Sequence, residues 1–537
     1  MEKPSQPYIR DLDFRGIVEG LTYIDKKAQP LCHYFGGIPY ALPPVGPFRW
    51  QKPRPLPPCY RYGTHANPGV FTGACGVCPQ SQWWTQPNDG SLFDENCLQV
   101  NIWIPAGDSP RAGWPVLFWI HGGFLQFGNA NDLDARALLN ETACKAIIVT
   151  PGHRLNLFGF LASSELRDSS PGYAANVGFW DQRKALEWTW QNISYFGGDP
   201  SSITIGGYSA GSHSTFHQLA YDLGVSDSKS IVRRALMLSN GPGLQPKSFE
   251  EAQLQFNEFL EALQIPLDTS ASEKLAKLHT LDAKTLIKAV EKMKYHEFRA
   301  TTDGEFVRHG LMNEIDNGTF ARQMKRRGVK LIMGECRDEH FVYGSWRPPK
   351  NSFEGLFRRL QADYPLADCK ALVEYYYPNQ KLPAGCKDWP DAFGRIYADI
   401  QIHHLERGFA NALVRHGAGN LIFRYRIEWR AQCCDQMFPK VWGVTHGTDM
   451  VIWLWGSGLQ LSKKEKVIAK NSFIDNLAKF LNGEELDWGT KHPLGIRTLT
   501  PGGKVVCEVD NRMEESLRVW EILRRARATN LPISASL

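Results

Sequence analysis

The chain has 537 residues, and its 61 basic and 56 acidic side chains nearly cancel to leave a net charge of +5. No long basic run accompanies that small surplus, which gives no support to a nucleic-acid-binding role, and no stretch of about 18 apolar residues is present to span a membrane. Hydrophobic residues at 43% and charged residues at 22% fit a globular protein with a large core.

Met1 to Phe14 are polar and charged, without the apolar stretch of a secretion signal, and the final Ala535-Ser536-Leu537 does not match the Ser-Lys-Leu address. A cytoplasmic protein is therefore expected, unless a leader has been removed. Residues 115–120 form a continuous apolar run, as in a buried parallel strand, and lead into His121-Gly122-Gly123-Phe124. Residues 202–206 read as a β-branched strand, followed by Gly207-Tyr208-Ser209-Ala210-Gly211 and then a helix. From 248 to 294 the pattern turns helical, with Leu254, Phe256, Phe259, Leu260 and Leu263 on a rough 3.6-residue period. Residues 330–334 form another strand, ending in Glu335-Cys336-Arg337-Asp338-Glu339. A second helical stretch, 353–414, precedes a strand at 421–425 and the segment Gly443-Val444-Thr445-His446-Gly447-Thr448-Asp449. Amphipathic helices are expected at 467–481 and 512–528, and Lys463-Lys464-Glu465-Lys466 reads as a solvated helix face.

Gly207 to Gly211 have the form G-x-S-x-G in a strand–turn–helix context, which is what a nucleophile elbow requires. A serine hydroxyl needs a base to take its proton and a third group to orient that base, in the order serine, acid, histidine for this type of fold. Asp338 or Glu339 can supply the acid; they are adjacent, and sequence order does not choose between them. His446, one of fifteen histidines, follows a strand in the position of the base. The glycines at 122 and 123 expose backbone N–H groups beside the strand end, and these, with the N–H of Ala210 after the serine, make an oxyanion hole. No H-E-x-x-H motif is present, and Cys75-x-x-Cys78 has no second pair at zinc spacing, so neither a metal nor another cofactor is expected.

These motifs resemble the type-B carboxylesterase family, which includes cholinesterases and fungal lipases. Phe35-Gly36-Gly37-Ile38-Pro39-Tyr40-Ala41, Asp94-Glu95-Asn96-Cys97-Leu98, Asn176-Val177-Gly178-Phe179-Trp180-Asp181-Gln182-Arg183 and Phe196-Gly197-Gly198-Asp199-Pro200 are similar to the family's signature blocks, and the likeness covers nearly the whole length. The resemblance implies an α/β-hydrolase fold: a central, mostly parallel twisted sheet flanked by helices, with helical caps at about 245–300 and 350–415 in one catalytic domain spanning 1–537. It implies Ser209 as nucleophile, Glu339 as acid, His446 as base, the N–H groups of Gly123, Phe124 and Ala210 as oxyanion donors, and Ser239 with Gly122 as supporting residues. It also pairs Cys78 with Cys97 as a disulfide in an oxidising compartment, and leaves them thiols in a reducing one.

The sequence departs from the family's pattern at Tyr208, where glutamate is usual, at Phe124, in place of the third glycine, and at His340, in place of the glycine after the acid. The expected substrate is a small apolar or aromatic ester, turned over through an acyl-enzyme. Two other readings share the sequence: an acyl-enzyme intercepted by an alcohol or amine, giving acyl transfer or a lactone or lactam, and an inactive binding protein of cholinesterase type. The latter class typically lacks triad members, all of which are present here.

Overall fold

A computed structural model describes residues 4–81, 92–169 and 171–529. Thirteen strands form one sheet among these residues: β1 (Ser5–Asp11), β2 (Ile17–Ile24), β3 (Pro30–Pro39), β4 (Gly69–Val70), β5 (Gln99–Pro105), β6 (Trp114–Ile120), β7 (Ile147–Pro151), β8 (Gly198–Tyr208), β9 (Val232–Leu238), β10 (Lys330–Cys336), β11 (Ile422–Ile427), β12 (Gly495–Leu499) and β13 (Val505–Val509). Their order is β1-β2-β3-β5-β7-β6-β8-β9-β10-β11-β12-β13, with β4 beside β2. From β7 to β12 every pairing is parallel, and hairpin-like antiparallel pairs close both edges. This is the α/β-hydrolase architecture that the motifs imply.

Successive side chains of a strand point to opposite faces, so the fully apolar central strands feed two cores. Val116, Phe118 and Ile120 of β6 enter one with Ile203, Ile205, Ala235 and Met237, while Leu117 and Trp119 enter the other with Leu236, Leu238 and Ile332.

The 248–294 stretch divides into three helices, Phe249–Ala262, Ala271–Thr280 and Ala283–Val290. Ser248 and Ser270 open the first two with reciprocal capping boxes, and Asp282 caps the third, so each restart is written in a side chain that satisfies orphaned N–H groups. Leu254 falls off the buried stripe, at 63% exposure, while Phe256, Phe259 and Leu260 carry the packing. The 353–414 stretch likewise breaks at Pro365 into Phe353–Asp363 and Leu366–Tyr376, then resumes at Trp389–Ala398 and passes through a π-helical turn, Asp399–His403, into His404–Arg415. Glu465 corrects the reading of 463–466 as wholly solvated: it is buried, boxed to Ser462, and accepts the Gln432 N–H. Among the described residues no helix is long and apolar enough to cross a membrane.

Candidate active site

The loops after β6, β8, β9, β10 and β11 converge at the carboxyl ends of the parallel strands, where an open α/β sheet gathers its chemistry. Ser209 ends β8 and caps the helix Ala210–Gly224 with φ 57° and ψ −123°, a strained conformation for a residue with a side chain. Its flanks are glycine for steric reasons. A Cβ on Gly207 would lie 2.3 Å from the Gly211 carbonyl carbon, and one on Gly211 would lie 2.0 Å from the Ile120 oxygen. Strand, turn and helix therefore approach more closely than any larger residue permits.

The loop after β6 carries consecutive positive φ values at Gly123 (112°), Phe124 (58°) and Leu125 (63°). Two adjacent non-glycine residues in the left-handed region are costly and persist only when the surroundings over-determine them. Here the Gly123 carbonyl accepts from Gln126 N–H at 2.8 Å and Phe127 N–H at 3.0 Å, and Leu125 accepts from Asn156 N–H at 2.7 Å. The Arg299 guanidinium donates to the Phe124 carbonyl. Gly122 packs so closely on Tyr208 that an added Cβ would meet its ring at 2.9 Å.

The Phe124 ring packs into the protein beside the site. It is buried and stacked on Trp346 at 5.4 Å with edge contact to Tyr343 at 5.7 Å, as a core residue would be. Phe124 also lines two cavities that both reach Ser209.

Glu339 lies at the head of the helix His340–Ser345, and its Oε2 is 2.6 Å from His446 Nδ1. Oε1 accepts the Cys336 N–H at 2.7 Å. Asp338 is turned away, paired with Arg337 at 2.9 Å and accepting the Val444 N–H at 2.9 Å. Geometry thus separates two carboxylates that sequence order could not. Competing buried histidines are already engaged: His403 with Glu335 at 2.5 Å, and His213 with His217 at 3.2 Å.

Ser239 belongs to this cluster through a carboxylate to which sequence reasoning gave no role. Its hydroxyl donates to Asp449 Oδ2 at 2.6 Å, and that oxygen also accepts from the Tyr425 hydroxyl at 2.7 Å. Asp449 is fully buried three residues after His446, immediately before the apolar run of Met450, Val451, Ile452 and Trp453; a carboxylate in that company was the available signal. Tyr343 and Arg299 were also missed. Tyr208 and Tyr343 flank the His446 ring at 5.0 and 4.7 Å.

Burial drives Glu339 well above the ordinary carboxylate range, with the Asp449 charge adding to the push. It drives His446 down to about 4 from 6.5, against an upward pull from Asp449. With Nδ1–H donated to Glu339, the neutral ring leaves Nε2 as an acceptor. Because the folded value lies below 6.5, the stability tied to neutral His446 is present above pH 6.5 and is lost as pH falls through about 4. We expect the acid limb of kcat/KM for ester turnover to lie below pH 6.5, and Asp449→Asn to move it lower still, since the mutation removes the raising charge. A pH profile of both proteins from 4 to 8 checks this, and an acid limb at or above 6.5 would contradict it.

One cavity, about 230 Å³, holds Ser209, His446, Gly122 and Gly123 among Trp119, Leu133, Phe438 and Met450. The other, about 50 Å³, is walled partly by Arg299, Tyr364, Tyr397 and Gln401 from the two helical insertions. Of the two states that the resemblance allows for Cys78 and Cys97, the structure has the free thiols: both are buried, and Cys78 Sγ accepts the Leu155 N–H at 3.3 Å. The sulfurs are neighbours, and contact with Cys78, together with burial, pushes the Cys97 thiol up.

Comparison with known proteins places this geometry in a family. The chain is 48% identical over 530 residues to a carboxylic ester hydrolase of Gibberella moniliformis, covering 96% of each chain. It is 38% identical over 528 residues to an uncharacterized esterase/lipase of Schizosaccharomyces pombe, again covering 96% of each. The crystal structure of Aspergillus niger EstA shares the fold at a TM-score of 0.74 and 21% identity, over 97% of this chain and 98% of that one. The family model described as the carboxylesterase family matches residues 7–493, and the chain belongs to that family.

Proposed function

We propose that the chain is a serine carboxylic-ester hydrolase acting through an acyl-enzyme on Ser209. The observation that carries the reading is Glu339 Oε2 at 2.6 Å from His446 Nδ1, in a ring that shares a cavity with a strained, strand-end serine. The carboxylic ester hydrolase named among the relatives supports it.

Ser209 Oγ attacks the ester carbonyl as His446 Nε2 takes its proton, and Glu339 stabilises the imidazolium that forms. The N–H groups of Gly123, Phe124 and Ala210 receive the oxyanion; backbone direction, not side-chain identity, makes Phe124 a donor. His446 then protonates the departing alcohol, and water repeats the sequence to release the acid. The aromatic and aliphatic lining of the larger cavity, with Trp119, Phe127 and Phe438, favours a small ester with an apolar or aromatic alcohol part. Residues from 122 to 446 meet on one continuous sheet, which supports reading the chain as one catalytic unit.

A panel of phenyl and alkyl esters, with and without added alcohols or amines and with every product identified, tests the proposal. Free acid in stoichiometric yield with the alcohol is expected. Quantitative transfer to the added acceptor, or a cyclic product, would replace hydrolysis with acyl transfer or cyclisation.

A further inference from the structure

The two cavities at Ser209 differ in a way that assigns the halves of the substrate. Phe124 and Ser209 line both, but His446 lines only the larger one. The proton that His446 takes from Ser209 must be passed to the leaving alkoxide, so the alcohol half has to lie beside His446. The acyl half is left with the smaller cavity.

That cavity is mixed, with a group of polar side chains set beside Leu125, Leu244, Ala300 and Pro365. Arg299 Nε donates to Asp363 at 2.7 Å, Nη2 donates to the Tyr397 hydroxyl at 2.9 Å, and Nη1 is committed to the Phe124 carbonyl. A guanidinium has five donors, so these contacts do not exhaust it. Gln401, Tyr343 and Tyr364 complete the polar part of the lining, with Gln401 Nε2 donating to the Tyr364 hydroxyl. A hydrocarbon acyl chain would strip these groups of water and return nothing. An anionic chain would face Asp363, and the Arg299 charge is already met by Asp363 at 2.5 Å and Glu297 at 3.5 Å. The wall therefore matches a neutral group that both donates and accepts, which is what a hydroxyl does.

Size points the same way. At about 50 Å³ the cavity has room for a few heavy atoms, given that one water takes roughly 10–15 Å³ on this measure. Gln245, Pro246 and Pro365, which line it, also border a broad cleft of about 840 Å³ bearing Glu250, Glu251, Asp368, Lys370, Glu374 and Arg527. A fatty chain long enough to leave the cavity would emerge among charges.

We propose that the acyl half of the substrate is a short hydroxyacyl group, held in the cavity walled by Arg299, Tyr397 and Gln401; this rests on the serine-esterase reading of the same site. The test holds the alcohol constant and compares kcat/KM for the 4-nitrophenyl esters of 3-hydroxybutyrate, butyrate and octanoate. The hydroxybutyrate is expected to be favoured over butyrate by about tenfold, with octanoate slowest. Tyr397→Phe should narrow the hydroxybutyrate-to-butyrate ratio several-fold, and Gln401→Leu provides the same test where Tyr397→Phe does not fold. A ratio of one or below in the unmodified protein, with all three esters turned over, overturns the hydroxyacyl assignment alone. So does an unchanged ratio in folded variants. No turnover of any ester, 4-nitrophenyl acetate included, overturns the esterase reading and this proposal with it.

Discussion

Ser209→Ala is expected to lower kcat for ester cleavage by roughly 10⁶-fold, the scale on which removal of a triad nucleophile acts. Unlike the surrounding glycines, the mutated position keeps a Cβ and the same backbone, so the elbow and its packing should survive and melting should shift little. A fluorophosphonate probe should label the unmodified protein at Ser209 in a one-to-one adduct, located by mass spectrometry of the peptide, and leave the variant unlabelled. Labelling of another serine, together with activity in the variant, would remove Ser209 from the chemistry. The strain at φ 57° is part of the argument: it aims the hydroxyl into the cavity shared with His446 and is tolerated because the Ser209 N–H donates to the Leu238 carbonyl at 2.9 Å.

Glu339→Gln should lower kcat by about 10⁴-fold, because an amide can present its N–H to Nδ1 and so drive the ring proton to Nε2, the tautomer that cannot accept from serine. Asp338→Asn should change kcat by less than about tenfold. Asp338 faces Arg337 and the Val444 N–H, which shape the loop before His446 without touching its ring. Pre-steady-state release of the alcohol measures acyl-enzyme formation in both variants, with circular dichroism to show that each is folded. Equal losses, or a larger loss for Asp338→Asn, would reverse the assignment of the acid. The contrast is sharp because the two residues are neighbours, similar in chemistry, and differ chiefly in where the helix start at His340 points them.

Much of this protein is legible in its sequence, for local reasons. The continuous apolar run of β6 reads as a buried parallel strand and the runs in β8 and β10 read as strands, and the glycines at 207 and 211 are imposed by backbone contacts that a sequence motif already encodes. The order of serine, acid and histidine follows from the order of those strands. What needed the fold is whatever depends on direction or on partners far along the chain. Sequence order does not choose between Asp338 and Glu339; the family resemblance points to Glu339, and the fold turns its carboxylate to 2.6 Å from a ring 107 residues away. Asp449 is an ordinary charge until Ser239, just after β9, and Tyr425, within β11, close on it, and burial then makes it act on both members of the pair. Phe124 stands out in sequence only as the residue in place of the third glycine; its stacking on Trp346 and its place in the lining of two cavities come from the fold. Cys78 and Cys97 come together as the family resemblance implies and are thiols here, since proximity follows from the fold and the bond does not. Sequence by itself determines which residue types stand at which strand ends, because that is set by local propensity and close packing. Tertiary structure alone decides which of them face one another, because the orientation and electrostatics of a buried polar group depend on neighbours that the chain brings from hundreds of residues away.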